Sequence, residues 1–143
     1  MKEFKNICLF ETDTIRLAMR RIEENDLKTC VVIDKLGMMV GTVTDGDIRR
    51  GLLNNSDMDD DISNIMFKNP AFSYFDDSRE KSLEKIQDKD LKILPIVDKN
   101  KKLLGIETLD YVLENRRSDM NVFLMAGGFG KRIRPLTENM PKP

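Results

Sequence analysis

Two constellations in this chain have the residue types and spacing to meet phosphate or polar ligand groups. Near the C-terminal end, the apolar run Asn121-Val122-Phe123-Leu124-Met125-Ala126 reads as a buried strand that feeds Gly127-Gly128-Phe129-Gly130, with Lys131, Arg132 and Arg134 close behind. A strand that enters a glycine turn frees backbone N–H groups to face phosphate oxygens, and the cations supply charge. The second constellation is Thr44-x-x-Asp47, followed by Arg49 and Arg50. Read from the residues alone it is a capping box, in which the Thr44 hydroxyl caps a helix and the Asp47 carboxylate answers back to the Thr44 N–H. The chain has no histidine, so histidine-based acid–base catalysis and most zinc sites are excluded.

These residues need elements to hold them, and the chain supplies the elements twice. Residues 12–49 align with 76–113 without a gap, at an offset of 64, with nine identical pairs: Asp13/Asp77, Ile22/Ile86, Asp26/Asp90, Leu27/Leu91, Lys28/Lys92, Asp34/Asp98, Lys35/Lys99, Gly41/Gly105 and Thr44/Thr108. Duplication explains this better than chance. Each copy opens on a short apolar run, Ile7-Cys8-Leu9-Phe10 or Ala71-Phe72-Ser73-Tyr74-Phe75. The N-cap clusters Thr12-Asp13-Thr14 and Asp76-Asp77-Ser78 come next. An amphipathic helix follows, with Ile15, Met19 and Ile22 on one face in the first copy and Leu83 and Ile86 in the second. Cys30-Val31-Val32-Ile33 and Leu94-Pro95-Ile96-Val97 read as strands, a polar turn leads to a second strand, and a short helix begins after Thr44 or Thr108. The fold class is therefore α/β (α+β), built from tandem β-α-β-β-α repeats. One such unit cannot bury both faces of its hairpin, so the two copies should pack together.

The composition is 40% hydrophobic and 34% charged, and the formal charge of −1 argues against a nucleic-acid or membrane surface. The first residues lack the apolar core of a signal peptide, and no apolar run approaches the roughly 18 residues of a membrane helix. A cytoplasmic protein is the expectation. Cys8 and Cys30 sit in apolar settings, as reduced core residues rather than a bridge or metal ligands. The acidic run Asp57-Met58-Asp59-Asp60-Asp61 lacks the central Gly and terminal Glu of a calcium loop and reads as a solvated link between repeats, so no metal is expected there.

The repeat resembles the CBS domain pair, or Bateman module, over about residues 1–115. The resemblance is carried by Val32-Ile33-Asp34, Pro95-Ile96-Val97-Asp98, Gly41-Thr42-Val43-Thr44-Asp45-Gly46-Asp47, and the linker Asp61-Ile62-Ser63-Asn64-Ile65-Met66 followed by Asn69-Pro70. It implies a pseudo-twofold module with a cleft between the repeats, frequent homodimerisation into a flat disc, and an adenine nucleotide (AMP, ADP or ATP) as ligand. By that resemblance Thr44 faces phosphate or ribose and Asp47 accepts the ribose hydroxyls; the capping reading stands beside it. The second copy keeps Thr108 but has Tyr111 in place of the carboxylate, with Asp110 alongside, so a weak or empty second site is expected. The partner repeat would contribute Lys92 and Ile93 and the Asn69-Pro70-Ala71 segment. Lys92 reads equally as a phosphate cation or an exposed lysine, and Lys28, Arg49 and Arg50 as a solvated charged face.

The tail from Leu124 to Pro143 resembles the N-terminal signature of sugar-nucleotide pyrophosphorylases. It keeps Gly128, Gly130, Arg132, Pro135, Leu136, Thr137, Pro141, Lys142 and Pro143, and departs at Lys131, where Thr is usual. That likeness implies that Gly128 and Gly130 approach the NTP phosphates while Arg132 and Lys142 offset charge at the α-phosphate. The Mg²⁺-binding acids would lie further along a longer parent enzyme. The expected organisation is repeat 1 over 1–56, repeat 2 over 57–115, a linker over 116–121 and the start of a nucleotidyltransferase domain over 122–143. Two functions remain open. One is a regulatory adenine-nucleotide-binding pair of a sugar-1-phosphate nucleotidyltransferase, itself without catalytic activity; the other is a ligand-independent dimerisation platform for that enzyme.

Overall fold

The structure is a computed structural model and describes residues 4–114. After a 3-10 turn at Lys5–Ile7, the first repeat runs β1 (Cys8–Phe10), α1 (Ile15–Glu24), β2 (Thr29–Ile33), β3 (Met39–Thr44) and α2 (Asp45–Leu53). A second 3-10 turn at Ile62–Asn64 leads to β4 (Ser73–Tyr74), α3 (Arg79–Asp88), β5 (Leu94–Val97) and β6 (Leu103–Glu107), with residues 109–114 helical again. Each repeat forms a three-stranded sheet, ordered β1-β2-β3 and β4-β5-β6, with a parallel outer pair and an antiparallel hairpin. The β-α-β-β-α expectation holds. The opening strands are shorter than expected: Ile7 lies in the 3-10 turn, and Ala71 and Phe72 precede β4.

The repeats match at the level of the backbone. Both hairpins carry a register shift at the same place, between Val32 and Ile33 and between Ile96 and Val97. Asp34 Oδ1 accepts from the N–H groups of Leu36 and Met38, and Asp98 Oδ1 accepts from those of Asn100 and Lys102, so one aspartate shapes each turn. The equivalent fourth turn residues, Gly37 and Lys101, have φ of 80° and 63°. The hairpins then meet reciprocally: Met39 N–H donates to Lys101 O at 2.9 Å and Leu103 N–H donates to Gly37 O at 3.0 Å. That exchange marks the pseudo-twofold relation between the copies.

Strand alternation sorts the side chains into separate cores. In β2, Cys30 and Val32 face the helices with Leu9, Ile15, Ala18, Ile22, Val43 and Ile48, while Val31 and Ile33 face the other repeat. There they join Ile7, Met39, Ile93, Val97, Leu103 and Ile106 in a core shared by both sheets. With both faces of the sheet covered, β2 is buried along almost its whole length. The helix side of the second repeat has a smaller core of Ile86, Leu94 and Val112. The acidic linker is more ordered than a solvated link. Ile62 is fully buried in the first repeat's core, Ile15 and Arg16 donate to Asp60 O and Met58 O, and Arg16 pairs with Asp59 at 3.1 Å. Gly51 of α2 makes room for this return, since a Cβ there would run into Ile65 Cγ2.

Candidate functional site

A cleft of about 320 Å³ opens between the repeats. One wall is Thr29 of β2 and Thr42 and Thr44 of β3; Phe67, Asn69, Pro70 and Ala71 of the connecting stretch form the next. The loop 89–93 and Pro95 of the second repeat complete it. Thr42 and Thr44 share a face because residues two apart on a strand point the same way, and Thr29 is the register partner of Thr44. Phe67 is brought in by an antiparallel bridge to Thr42, made of Phe67 N–H to Thr42 O at 2.9 Å and Thr42 N–H to Phe67 O at 3.1 Å. That approach needs glycine at position 41, where a Cβ would lie 2.8 Å from Phe67 O and 2.9 Å from Met66 Sδ.

Of the residues singled out in the sequence, Thr44, Ala71, Lys92 and Ile93 line this one cleft. Ile93 is only 4% exposed and packs in the shared core, so little beyond its main chain is left to offer. Lys89 and Lys92 are exposed and make no ion pair with the described residues, leaving their ammonium groups for an anion. Lys28 and Arg49 instead pair with Glu23 and Asp45, and Arg50 with Asp47, in keeping with a charged outer face.

Asp47 is placed differently. It lines a neighbouring cleft of about 260 Å³ with Arg50, Gly51, Asn54, Ser56, Asn64 and Ile65. The capping box is complete: Asp47 N–H donates to Thr44 Oγ1 at 3.2 Å, and Asp47 Oδ2 accepts from the Thr44 N–H at 2.8 Å and the Thr44 hydroxyl at 2.7 Å. Arg50 donates to Oδ1 at 2.6 Å. These bonds set the chemistry of Thr44. Its one hydroxyl proton is committed to Asp47 and one lone pair to Asp47 N–H, so one lone pair remains for a donor such as a sugar hydroxyl. An ionised phosphate oxygen, which only accepts, would have to displace Asp47 as the acceptor of the Thr44 proton.

The second repeat repeats the cap without the carboxylate. Thr108 Oγ1 accepts from Tyr111 N–H at 3.3 Å, and Thr108 is 6% exposed. Glu107 stands where the first repeat has fully buried Val43, and its Oε2 is buried without a hydrogen-bond partner. Sequence reading missed Thr29, Thr42, Phe67 and Lys89 as cleft residues. Thr42 could have been found two positions before Thr44, whereas nothing local marks Phe67.

Cys8 and Cys30 are free thiols, pushed up to about 11 and about 12 by burial, which leaves them poor nucleophiles and poor metal ligands. Among the described residues no group of three or more His, Cys, Asp or Glu could hold a metal ion, and no helix is long and apolar enough to cross a membrane. Gly128, Gly130, Arg132 and Lys142 lie outside the described residues.

Comparison with known proteins agrees with this fold. The CBS domain family model matches the chain twice, over residues 2–54 and 62–116. Homoserine O-acetyltransferase of Methanohalobium evestigatum is 31% identical over 91 residues, covering 64% of this chain and 18% of the relative. The chain thus spans under a third of the length of the curated relatives it matches. Among solved structures, a CBS domain pair/ACT domain protein from Thermotoga maritima has a TM-score of 0.70 at 23% identity, covering 82% of this chain and 93% of that one. A CBS domain protein from Pyrobaculum aerophilum, complexed with AMP, has a TM-score of 0.68 at 21% identity, covering 87% and 95%.

Proposed function

The chain belongs to the CBS domain family, and on that footing we propose that it is the adenine-nucleotide-binding regulatory pair of a sugar-1-phosphate nucleotidyltransferase. The observation that carries the binding half is the inter-repeat cleft, where three threonines face two lysines that have no ion pair among the described residues, across apolar walls. The AMP complex of the Pyrobaculum aerophilum protein, which has the same fold, supports the choice of ligand. In this reading the free lone pair of Thr44 accepts from a ribose hydroxyl. Asp47, which lines the neighbouring cleft, contributes by orienting Thr44, while Lys92 meets the phosphate. Ala71 and Ile93 supply wall and main chain. The nucleotidyltransferase half rests on the glycine, arginine and Pro-Lys-Pro pattern between Leu124 and Pro143, with Mg²⁺ held by acids of the parent enzyme.

Calorimetric titration with AMP, ADP and ATP tests the binding half. Binding should weaken in Lys92→Ala and in Thr44→Val, and the lysine variant should lose more for the nucleotide than for adenosine. Absence of heat with all three nucleotides, or unchanged affinity in both variants, would reject this reading. A second reading, a ligand-independent homodimerisation platform, is favoured by Tyr111 standing where a second site would need its carboxylate. It predicts a dimer in sedimentation at micromolar concentration that nucleotide neither tightens nor loosens.

A further inference from the structure

We propose that Phe67 is the stacking surface for the base of the bound ligand. This rests on the nucleotide reading of the cleft. Phe67 lines the cleft yet is 55% exposed, so a large apolar face of the ring stands in water. A single exposed aromatic is ordinary on a protein surface. This one is set apart by how it is held. Both main-chain hydrogen bonds to Thr42 fix its backbone, and the absence of a side chain at Gly41 lets it lie that close to β3. A ring on a pinned backbone has only its two side-chain torsions left to order, so contact with a flat partner costs little entropy.

The rest of the cleft matches a flat ring as partner. Pro70, Ala71, Leu91 and Pro95 give an apolar wall, while Thr44 and Lys92 put the polar groups elsewhere in the same cavity. A nucleotide has that division: a flat heteroaromatic ring that wants apolar contact, and a sugar phosphate that wants hydroxyls and cations. Stacking on an aromatic side chain needs no particular edge pattern, because every base has a π-face. The ring contact therefore contributes affinity, scaled by the area of the base, and leaves the choice between purines to other groups.

The chain has no tryptophan, which makes the test direct. Phe67→Trp introduces a lone indole at the cleft, and its fluorescence should change on titration with AMP but not with ribose 5-phosphate, which lacks the base. Phe67→Ala should weaken AMP binding about tenfold or more, with Phe67→Leu in between, since it keeps apolar bulk but no ring. Equal AMP affinity in the wild type and Phe67→Ala, or an indole signal unchanged at AMP saturation, overturns the role of Phe67 and leaves the nucleotide site standing. If the wild type binds no AMP, the site reading and this inference fall together. A circular dichroism melt of Phe67→Ala, expected to match the wild type because the side chain is largely exposed, guards against a folding artefact.

Discussion

Replacing Asp47 separates its structural work from any ligand contact. The carboxylate accepts three hydrogen bonds, from the N–H and hydroxyl of Thr44 and from Arg50, and its side chain is only 13% exposed. In Asp47→Ala the Thr44 hydroxyl still caps the N–H of residue 47, but its own proton loses an acceptor and the first turn of α2 loses a negative charge, which together cost about 1 kcal/mol. The part-buried Thr44 N–H also loses its partner, adding about another 1 kcal/mol. The Arg50 pair adds little, because the guanidinium is 69% exposed and screened by solvent. The total is about 2 kcal/mol, or roughly 8 °C in Tm for a domain of this size. Asp47→Asn keeps one acceptor oxygen but loses the charge at the N-terminus of α2, so about half that loss is expected. Thr44→Ala combined with Asp47→Ala should cost about 1 kcal/mol more than Asp47→Ala alone, because the cap on the residue 47 N–H goes too, yet less than the sum of the single losses, because the Thr44–Asp47 hydroxyl bond is counted in both. Thermal melts without ligand give all of these values. A Tm for Asp47→Ala within about 1 °C of the wild type would refute the capping argument and leave Asp47 free to serve a ligand alone.

Lys101 holds the left-handed turn position that Gly37 holds in the first hairpin, so Lys101→Gly should stabilise the protein by about 0.5 kcal/mol, less any loss of its cation–π contact with Phe72. Gly37→Lys should cost about 1 kcal/mol, read by urea melts; equal midpoints for all three proteins would refute the backbone argument. The Asp77 carboxyl is held below the usual carboxylate range by the Tyr74 N–H and then by Lys85. Its contribution is therefore present above about pH 4, the unfolded value, and is lost as pH falls through the lower folded value. Asp77→Asn should flatten the fall of Tm between pH 4 and pH 2.5; an unchanged slope would show that Asp77 is not linked to acid unfolding.

Much of the architecture could be read from the sequence because a duplication shows each element twice. The Thr12-Asp13-Thr14 and Asp76-Asp77-Ser78 clusters announced both helices, and the N-caps are Thr14 and Ser78. Local reading misjudged what depends on chain returning from afar. The linker over residues 57–67 looks solvated because of its aspartates, yet Ile62 is buried and Asp59 and Asp60 tie the linker to α1. The cleft divides in the same way. Thr44, Ala71, Lys92 and Ile93 follow from the family pattern, but Phe67 reaches the cleft through its bridge to Thr42, which no periodicity encodes.

The differences between the repeats bear on which cleft works. What the copies share serves the backbone: the turn aspartates Asp34 and Asp98, the register shift, the threonine caps. Where they differ, the second copy has become more polar inside. Ser73 and Ser82 replace Leu9 and Ala18, and Lys85 donates to Phe72 O, Ser73 Oγ and Asp77, where the equivalent Arg21 reaches Lys5 O and Asn6 O. Glu107 replaces Val43, and Tyr111 replaces Asp47. A second site selected for the same ligand would retain the threonine–carboxylate pair that sets the hydrogen-bonding sense of the first. A cap alone requires only the threonine, and only the threonine is kept. On the proposed nucleotide reading the asymmetry favours one ligand per chain, in the cleft that Thr44 and Lys92 line, and calorimetry should return a stoichiometry near one rather than two.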